Sequence, residues 1–207
     1  MSNLDLELQT QLIETCHMLH EKGMVSGSGG NVSIRAGERV WITPTGVSLR
    51  AVTKENLVAL NMDGTWEGMI CPSKEYRLHL QCYVNRPDIS SVVHVHSLYS
   101  VALSCAIGPE DQIPVYFPGY AMRVGKLPVL PYMRPGDQKL AEVVSSVISR
   151  RNSVLLANHG VVTVGRDIQE ALNIMEEIEE NAQLYFILGG KGHEMREQDV
   201  SILYAGQ

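Results

Sequence analysis

Residues 154–157 and 161–164 are two short runs, apolar but for Thr163, separated only by Asn158-His159-Gly160. Two long segments of helical periodicity bracket them, near 138–150 and 167–188. Runs this short, rich in Val and Leu, suit strands buried on both faces. Such strands need helices on either side to cover them, so the pattern predicts an α/β layered fold.

The rest of the chain repeats the alternation. Leu4, Leu8, Leu12, Cys16 and Leu19 recur at helical spacing up to Gly23, which reads as an amphipathic opening helix and its terminator. After a glycine-rich turn at 26–31, residues 32–34 and 39–42 read as strands, broken by Thr43-Pro44-Thr45-Gly46. Thr53 can cap a short helix, 57–62 reads as a strand, and Asp63-Gly64 is a hairpin signal. Ser73 stands where an N-cap belongs, ahead of a helical run with Tyr76, Leu80, Tyr83 and Val84 that ends near Arg86-Pro87. Residues 91–96 then read as a buried strand and 97–106 as a helix. No repeat or linker interrupts the 207 residues, so a single domain over 1–207 is expected. With 6 % aromatic residues, its core must rest on aliphatic side chains.

Charge and composition exclude several partners. A formal charge of −6 gives no broad basic face for nucleic acid. No apolar run reaches the length of a membrane span, and residues 1–10 lack the basic and apolar blocks of a signal peptide. Cys16, Cys71, Cys82 and Cys105 are scattered, as expected of ordinary buried thiols in a reducing compartment. The expected address is the cytoplasm.

The chemistry concentrates in a few positions. His94 and His96 are two apart in a strand, where side chains alternate, so both rings leave the same face. His159 lies at the end of another apolar strand. Three neutral imidazoles suit a borderline divalent cation such as zinc, with a position left for substrate or water. Glu75, read in the first turn of the helix opened by Ser73, could fill the fourth position or accept a proton. His79 lies one turn further on; His17, His20 and His193 have no partner in spacing and read as surface or packing residues. The glycine turn is neither a P-loop nor a dinucleotide fingerprint, yet its glycines permit close backbone approach to an anion.

Five segments carry a resemblance: Gly-Gly-Asn-Val-Ser at 29–33, Thr-Pro-Thr-Gly at 43–46, Pro-Ser-Lys-Glu at 72–75, His-Val-His-Ser at 94–97 and Ala-Asn-His-Gly at 157–160. In this order and spacing, from about residue 8 to 190, the chain resembles the class II aldolase and adducin family. The resemblance implies a three-layer α/β/α sandwich, assembled as a homotetramer with active sites at subunit interfaces. It also implies zinc, or manganese or cobalt, on His94, His96 and His159, with Glu75 beside the ion. A small phosphorylated sugar would be the substrate, its phosphate held by Ser28, Gly30, Asn31, Thr45, Gly46 and Ser73.

One position departs from fuculose-phosphate aldolases, which carry two serines before the glutamate; here the pair is Ser73-Lys74. Lys74 would meet either the phosphate or a substrate carboxylate. Together with the segments opening at Tyr120 and Tyr132, it resembles the branch that includes 3-oxo-tetronate 4-phosphate decarboxylases. Tyr120 is the first candidate for a hydroxyl completing the site, Tyr204 the second. The leading expectation is a metal-dependent carbon–carbon lyase cleaving a phosphorylated ketose to dihydroxyacetone phosphate and an aldehyde. Decarboxylation of a 3-oxo-tetronate 4-phosphate is the alternative, followed by a sugar-phosphate 4-epimerase and a non-catalytic adducin-like module.

Overall fold

In the computed structural model, which describes residues 3–205, helix α1 (Asn3–Glu21) leads into strands β1 (Asn31–Ala36), β2 (Arg39–Ile42) and β3 (Val58–Asn61). Helix α2 (Tyr76–Asn85), strand β4 (Ser91–Val95) and helices α3 (Leu98–Ala106) and α4 (Pro118–Arg123) follow. The chain continues with β5 (Val129–Leu130), α5 (Gln138–Ile148), β6 (Ser153–Leu156), β7 (Gly160–Gly165), α6 (Ile168–Ile187) and α7 (Glu197–Ala205). The strands form one sheet in the order β3-β2-β1-β4-β7-β6-β5, antiparallel at every pair except β5–β6.

Alternation along the strands feeds two separate cores. Val32, Ile34, Val93, Val95, Leu155 and Val161 face α1, α3, α4, α6 and α7, whose contributions include Leu12, Leu103, Ala121, Met175 and Val200. Val40, Ile42, Val92, Val154, Leu156, Val162 and Val164 face α2 and α5, through residues such as Leu78, Cys82, Leu140 and Val144. The architecture is therefore the expected α/β/α sandwich, each sheet face covered by its own helices. Burying a Val, Leu or Ile side chain contributes about 1.5–3 kcal/mol, so both apolar faces must be covered.

Several local readings shift. α2 starts at Tyr76 with Glu75, not Ser73, at its N-cap, and the cap makes no side-chain hydrogen bond to the helix. Ser73 Oγ instead accepts from the Glu75 N–H at 3.3 Å and shapes the turn ahead of the helix. Thr53 opens no helix: Asn56 accepts from the Thr53 N–H and donates to the Ala51 carbonyl, both at 2.9 Å, closing a tight loop that delivers the chain to β3. The hairpin at Asp63-Gly64 forms, with Gly64 at φ +86°, but its return arm reduces to one bridge between Leu60 and Trp66. Two of the cysteines, Cys71 and Cys105, are exposed rather than buried.

The central strand β4 places the site. Its residue His94 pairs with Asn31, the first residue of β1, on one side and with Val162 of β7 on the other. Val95 pairs with Val161, so the β6–β7 turn closes beside the C-terminal end of β4.

Candidate metal centre

His94, His96, His159 and Glu75 come together at that end of the sheet, their ligand atoms all within 4.8 Å of one another. His94 Nδ1 lies 2.9 Å from the Val161 carbonyl, which can only accept, so Nδ1 carries the proton and Nε2 presents a lone pair. That Nε2 is 3.1 Å from His96 Nε2 and 3.3 Å from His159 Nε2. Glu75 Oε2 lies 3.2 Å from it, and Glu75 Oε1 is 3.6 Å from His159 Nε2. Tetrahedral ligands bound at about 2.0–2.1 Å from a zinc ion stand about 3.3 Å apart. Three convergent ring nitrogens and a carboxylate at this spacing fit a divalent cation better than they fit mutual hydrogen bonds.

The electrostatics agree. Burial, reinforced by the neighbouring His94, pushes His96 and His159 down to about 4, so both rings are neutral at pH 7. Burial opposes the charge on Glu75, yet His94, Asn31 and His159 together hold its carboxyl well below the usual range. His94 feels the same burial, outweighed by Glu75, and is raised. Two neutral imidazoles and an ionised carboxylate are in the states a borderline metal takes, and a bound cation would displace any proton from His94 Nε2.

Each ligand is held by its backbone context. His159 lies in the β6–β7 turn, where its N–H donates to the Leu156 carbonyl at 3.1 Å and the preceding Asn158 adopts φ +54°. Gly160 is required there, because an added Cβ would stand 2.8 Å from His96 Cδ2 and also meet the Val95 carbonyl. Gly30, at φ +77°, passes so close to β4 that a Cβ would meet Val25 at 2.8 Å and the His94 carbonyl at 3.0 Å. His96 is followed directly by Ser97 and α3, whose start is clamped from α6. Glu179 accepts from Ser97 Oγ at 2.6 Å, the Tyr99 N–H at 2.9 Å, the Ser100 N–H at 2.8 Å and Ser100 Oγ at 2.7 Å.

Glu75 is anchored through β1. Asn31 Nδ2 donates to Glu75 Oε2 at 2.9 Å, and Asn31 Oδ1 meets His79 Nε2 at 2.5 Å. His79 Nδ1 is 2.7 Å from Ser33 Oγ, which is 2.7 Å from the Tyr83 hydroxyl. His79 is thus fully buried beneath Glu75 and turned away from the ion site; in the sequence Ser33 had counted only as part of a strand and motif, and Tyr83 only as a helix position. A serine at an inward strand position, facing the same helix as an inward histidine, was the available signal.

The other expected positions are distributed around this core. Thr45 and Ser73 lie on neighbouring strands of loop, joined by the Thr45 N–H to Cys71 carbonyl bond and the Ser73 N–H to Thr43 carbonyl bond, both 3.0 Å. Gly46 and Ser28 are exposed, Gly46 at φ +74°. The Asn31 side chain is committed to Glu75 and His79, with one amide hydrogen left over. Lys74 is exposed and forms no ion pair among the described residues. The loop of Gly136 abuts it, an added Cβ there standing 3.2 Å from the Lys74 carbonyl oxygen. Tyr120 is buried in the α1/α6-side core, its hydroxyl hydrogen-bonded to none of the four cluster residues. Tyr204 lines a cavity of about 600 Å³ with Arg86, Arg123, Arg166 and Gly165. Gly165 pairs with Ser91, the first residue of β4, so that cavity lies at the opposite end of the sheet from the cluster.

Known proteins share this sequence family and fold. Residues 10–186 match the family described as the class II aldolase and adducin N-terminal domain. The 3-oxo-tetronate 4-phosphate decarboxylase of Haemophilus influenzae is 42 % identical over 190 residues, 90 % of each chain. The L-fuculose phosphate aldolase of Methanococcus maripaludis is 41 % identical over 86 % of this chain and 96 % of its own. The crystal structure of YgbL from Escherichia coli superimposes with a TM-score of 0.91 at 35 % identity, over 97 % of this chain and 99 % of that one. With the sandwich, the three histidines and the glutamate in place, this chain belongs to the class II aldolase and adducin family.

Proposed function

We propose that the chain is a divalent-metal-dependent carbon–carbon lyase that releases carbon dioxide from a phosphorylated 3-oxo sugar acid of the 3-oxo-tetronate 4-phosphate type. The observation that carries this reading is Lys74, an exposed ammonium without an ion-pair partner among the described residues, directly beside Glu75 and backed by the Gly136 loop. A free cation at that position suits a substrate bearing a carboxylate as well as a phosphate. The 42 % identity to a decarboxylase of that name supports the same substrate class. This reverses the order of preference drawn from the sequence.

A bound zinc, manganese or cobalt ion on His94, His96, His159 and Glu75 would supply Lewis-acid polarisation of the substrate ketone. Breaking the C1–C2 bond releases carbon dioxide and sends its electron pair towards the C3 oxygen, giving an enediolate. A proton delivered to C2 then yields dihydroxyacetone phosphate. Glu75 would pass it to C2, the proton coming ultimately from water: Oε1 has no hydrogen-bond partner and is free to exchange a proton, while Oε2 is held by Asn31. Gly30, Thr45, Gly46, Ser73 and Ser28 would cradle the phosphate and fix register.

Aldol cleavage of a ketose phosphate is the second reading, favoured by the 41 % identity to a fuculose phosphate aldolase. It passes through the same enediolate of dihydroxyacetone phosphate, with an aldehyde leaving in place of carbon dioxide. Metal-loaded protein incubated separately with 3-oxo-tetronate 4-phosphate and with L-fuculose 1-phosphate, following carbon dioxide and aldehyde in parallel, tests both. Carbon dioxide alone is the expected result. Aldehyde alone would replace the first reading with the second, and neither product from metal-replete protein would leave a binding module. The same proposal includes a homotetramer with active sites at subunit interfaces, and a cytoplasmic address.

A further inference from the structure

The hydrogen bonds beneath Glu75 have a direction that the chemistry of the groups fixes. An ionised carboxylate only accepts, so the Asn31 atom facing Glu75 Oε2 is the amide nitrogen, as found at 2.9 Å. Asn31 Oδ1 therefore faces His79 Nε2, and because Oδ1 only accepts, Nε2 carries the proton. Full burial pushes His79 down to about 3, so the ring is neutral and Nδ1 is a lone pair. Ser33 Oγ must then donate to Nδ1, and the Tyr83 hydroxyl, itself fully buried, donates to Ser33 Oγ. Four successive donors, Tyr83, Ser33, His79 and Asn31, point one way and end on Glu75 Oε2. Glu75 Oε1, by contrast, is buried without a partner and faces His159.

We propose that His79, fixed as its Nε2–H tautomer, is a positioning residue for Glu75: acting through Asn31, it holds Oε2 as a permanent acceptor and leaves Oε1 as the oxygen that exchanges a proton with the reactant. This rests on Glu75 being the proton-handling group of the lyase. A proton on Oε2 would weaken it as the acceptor of the Asn31 N–H, whereas a proton on Oε1 disturbs no hydrogen bond. The bonds beneath Glu75 therefore favour placing the proton on Oε1, the side of the substrate. A carboxylate swung about its side-chain torsion by loss of Asn31 Nδ2 would move Oε1 by a fraction of its reach, which is enough to cost turnover without releasing the ion.

Two measurements test it, one independent of any activity. Long-range proton–nitrogen correlation spectra of protein labelled with ¹⁵N-histidine should show His79 with Nε2 protonated and Nδ1 bare throughout pH 6–8. An Nδ1–H tautomer, or a doubly protonated ring, would overturn the proposal whatever the substrate proves to be. The second compares His79→Gln, whose amide can still donate towards Asn31, with His79→Leu, which keeps volume alone. On whichever substrate the wild type turns over, His79→Leu should lower kcat about 100-fold with KM and bound zinc unchanged, and His79→Gln should recover to within about tenfold. Equal losses in both variants, a loss confined to KM or metal content, or wild-type kcat in His79→Leu would each overturn it.

Discussion

Glu75 has two oxygens in different surroundings, and the distinction sets what single substitutions should do. Glu75→Gln keeps the shape and the three imidazoles but removes the proton-handling group; turnover should fall about 10²–10⁴-fold with metal content retained, as assay and metal analysis on one sample would show. Lys74→Ser restores the pair of serines expected of fuculose-phosphate aldolases. For an exposed ion pair worth about 1 kcal/mol, KM for the 3-oxo acid should rise about fivefold while binding of an uncharged-ended ketose phosphate is unaffected. His79 links the site to stability. Its folded pKa lies far below the ordinary 6.5, so the unfolded chain takes up a proton first as pH falls. The contribution is complete above pH 6.5 and is lost between 6.5 and about 3, at up to about 1.4 kcal/mol per pH unit. Denaturant unfolding of metal-free protein at pH 7 and pH 5 should therefore show a shallower loss in His79→Gln than in the wild type.

At the scale of elements, the site is a product of turns and helix starts meeting at one end of the sheet. Gly160 shows how little room there is: an alanine methyl would press on the His96 ring and the Val95 carbonyl. Gly160→Ala should weaken metal binding about 10–100-fold and destabilise the fold by about 1–3 kcal/mol, measurable by metal titration and denaturant unfolding. Glu179 does for α3 what a serine cap does elsewhere, but from a distance, since Ser97 at the N-cap makes no side-chain cap bond of its own. Glu179→Ala should cost about 2 kcal/mol and loosen the backbone that carries His96, visible as faster amide exchange at Tyr99 and Ser100.

The whole molecule joins two apolar cores through one sheet, and β4 contributes to both: Val93 and Val95 to one, Val92 to the other. Heating should produce a single cooperative transition, shifted upward by zinc at 100 times its dissociation constant by about 2.7 kcal/mol of stability and restored by a chelator. Thiol reactivity reads the same architecture. Burial raises Cys82 to about 12 and Cys16 higher still, whereas Cys71 and Cys105 are exposed. In native protein an aromatic disulfide reagent should therefore modify Cys71 and Cys105 alone, and unfolding should release the other pair.

The layered fold was legible because its signals are periodic and local: the apolar runs of β6 and β7, the long helices beside them and the helical spacing of apolar residues in α1 need no tertiary information. The His-x-His spacing of 94 and 96 was likewise read from strand alternation, but β4 ends at Val95, and His96 reaches the cluster from the residue just after the strand. Short elements without a periodic stripe, such as α4, β5 and α7, left no such trace. Thr53 and Ser73 read as helix caps because local chemistry permits it, yet the Asn56 loop closure and the pairing of 43–45 with 71–73 took those backbones elsewhere. Convergence of His159 with the other two rings, the reach of Glu179 to α3 and the one-way bonds from Tyr83 to Glu75 all join residues 44 or more positions apart on at least one step. Sequence determined which groups could do chemistry, because residue type fixes donors, acceptors and charge. Tertiary structure decided which of them face each other and in which protonation state, because both depend on burial and on partners brought in from other strands and helices.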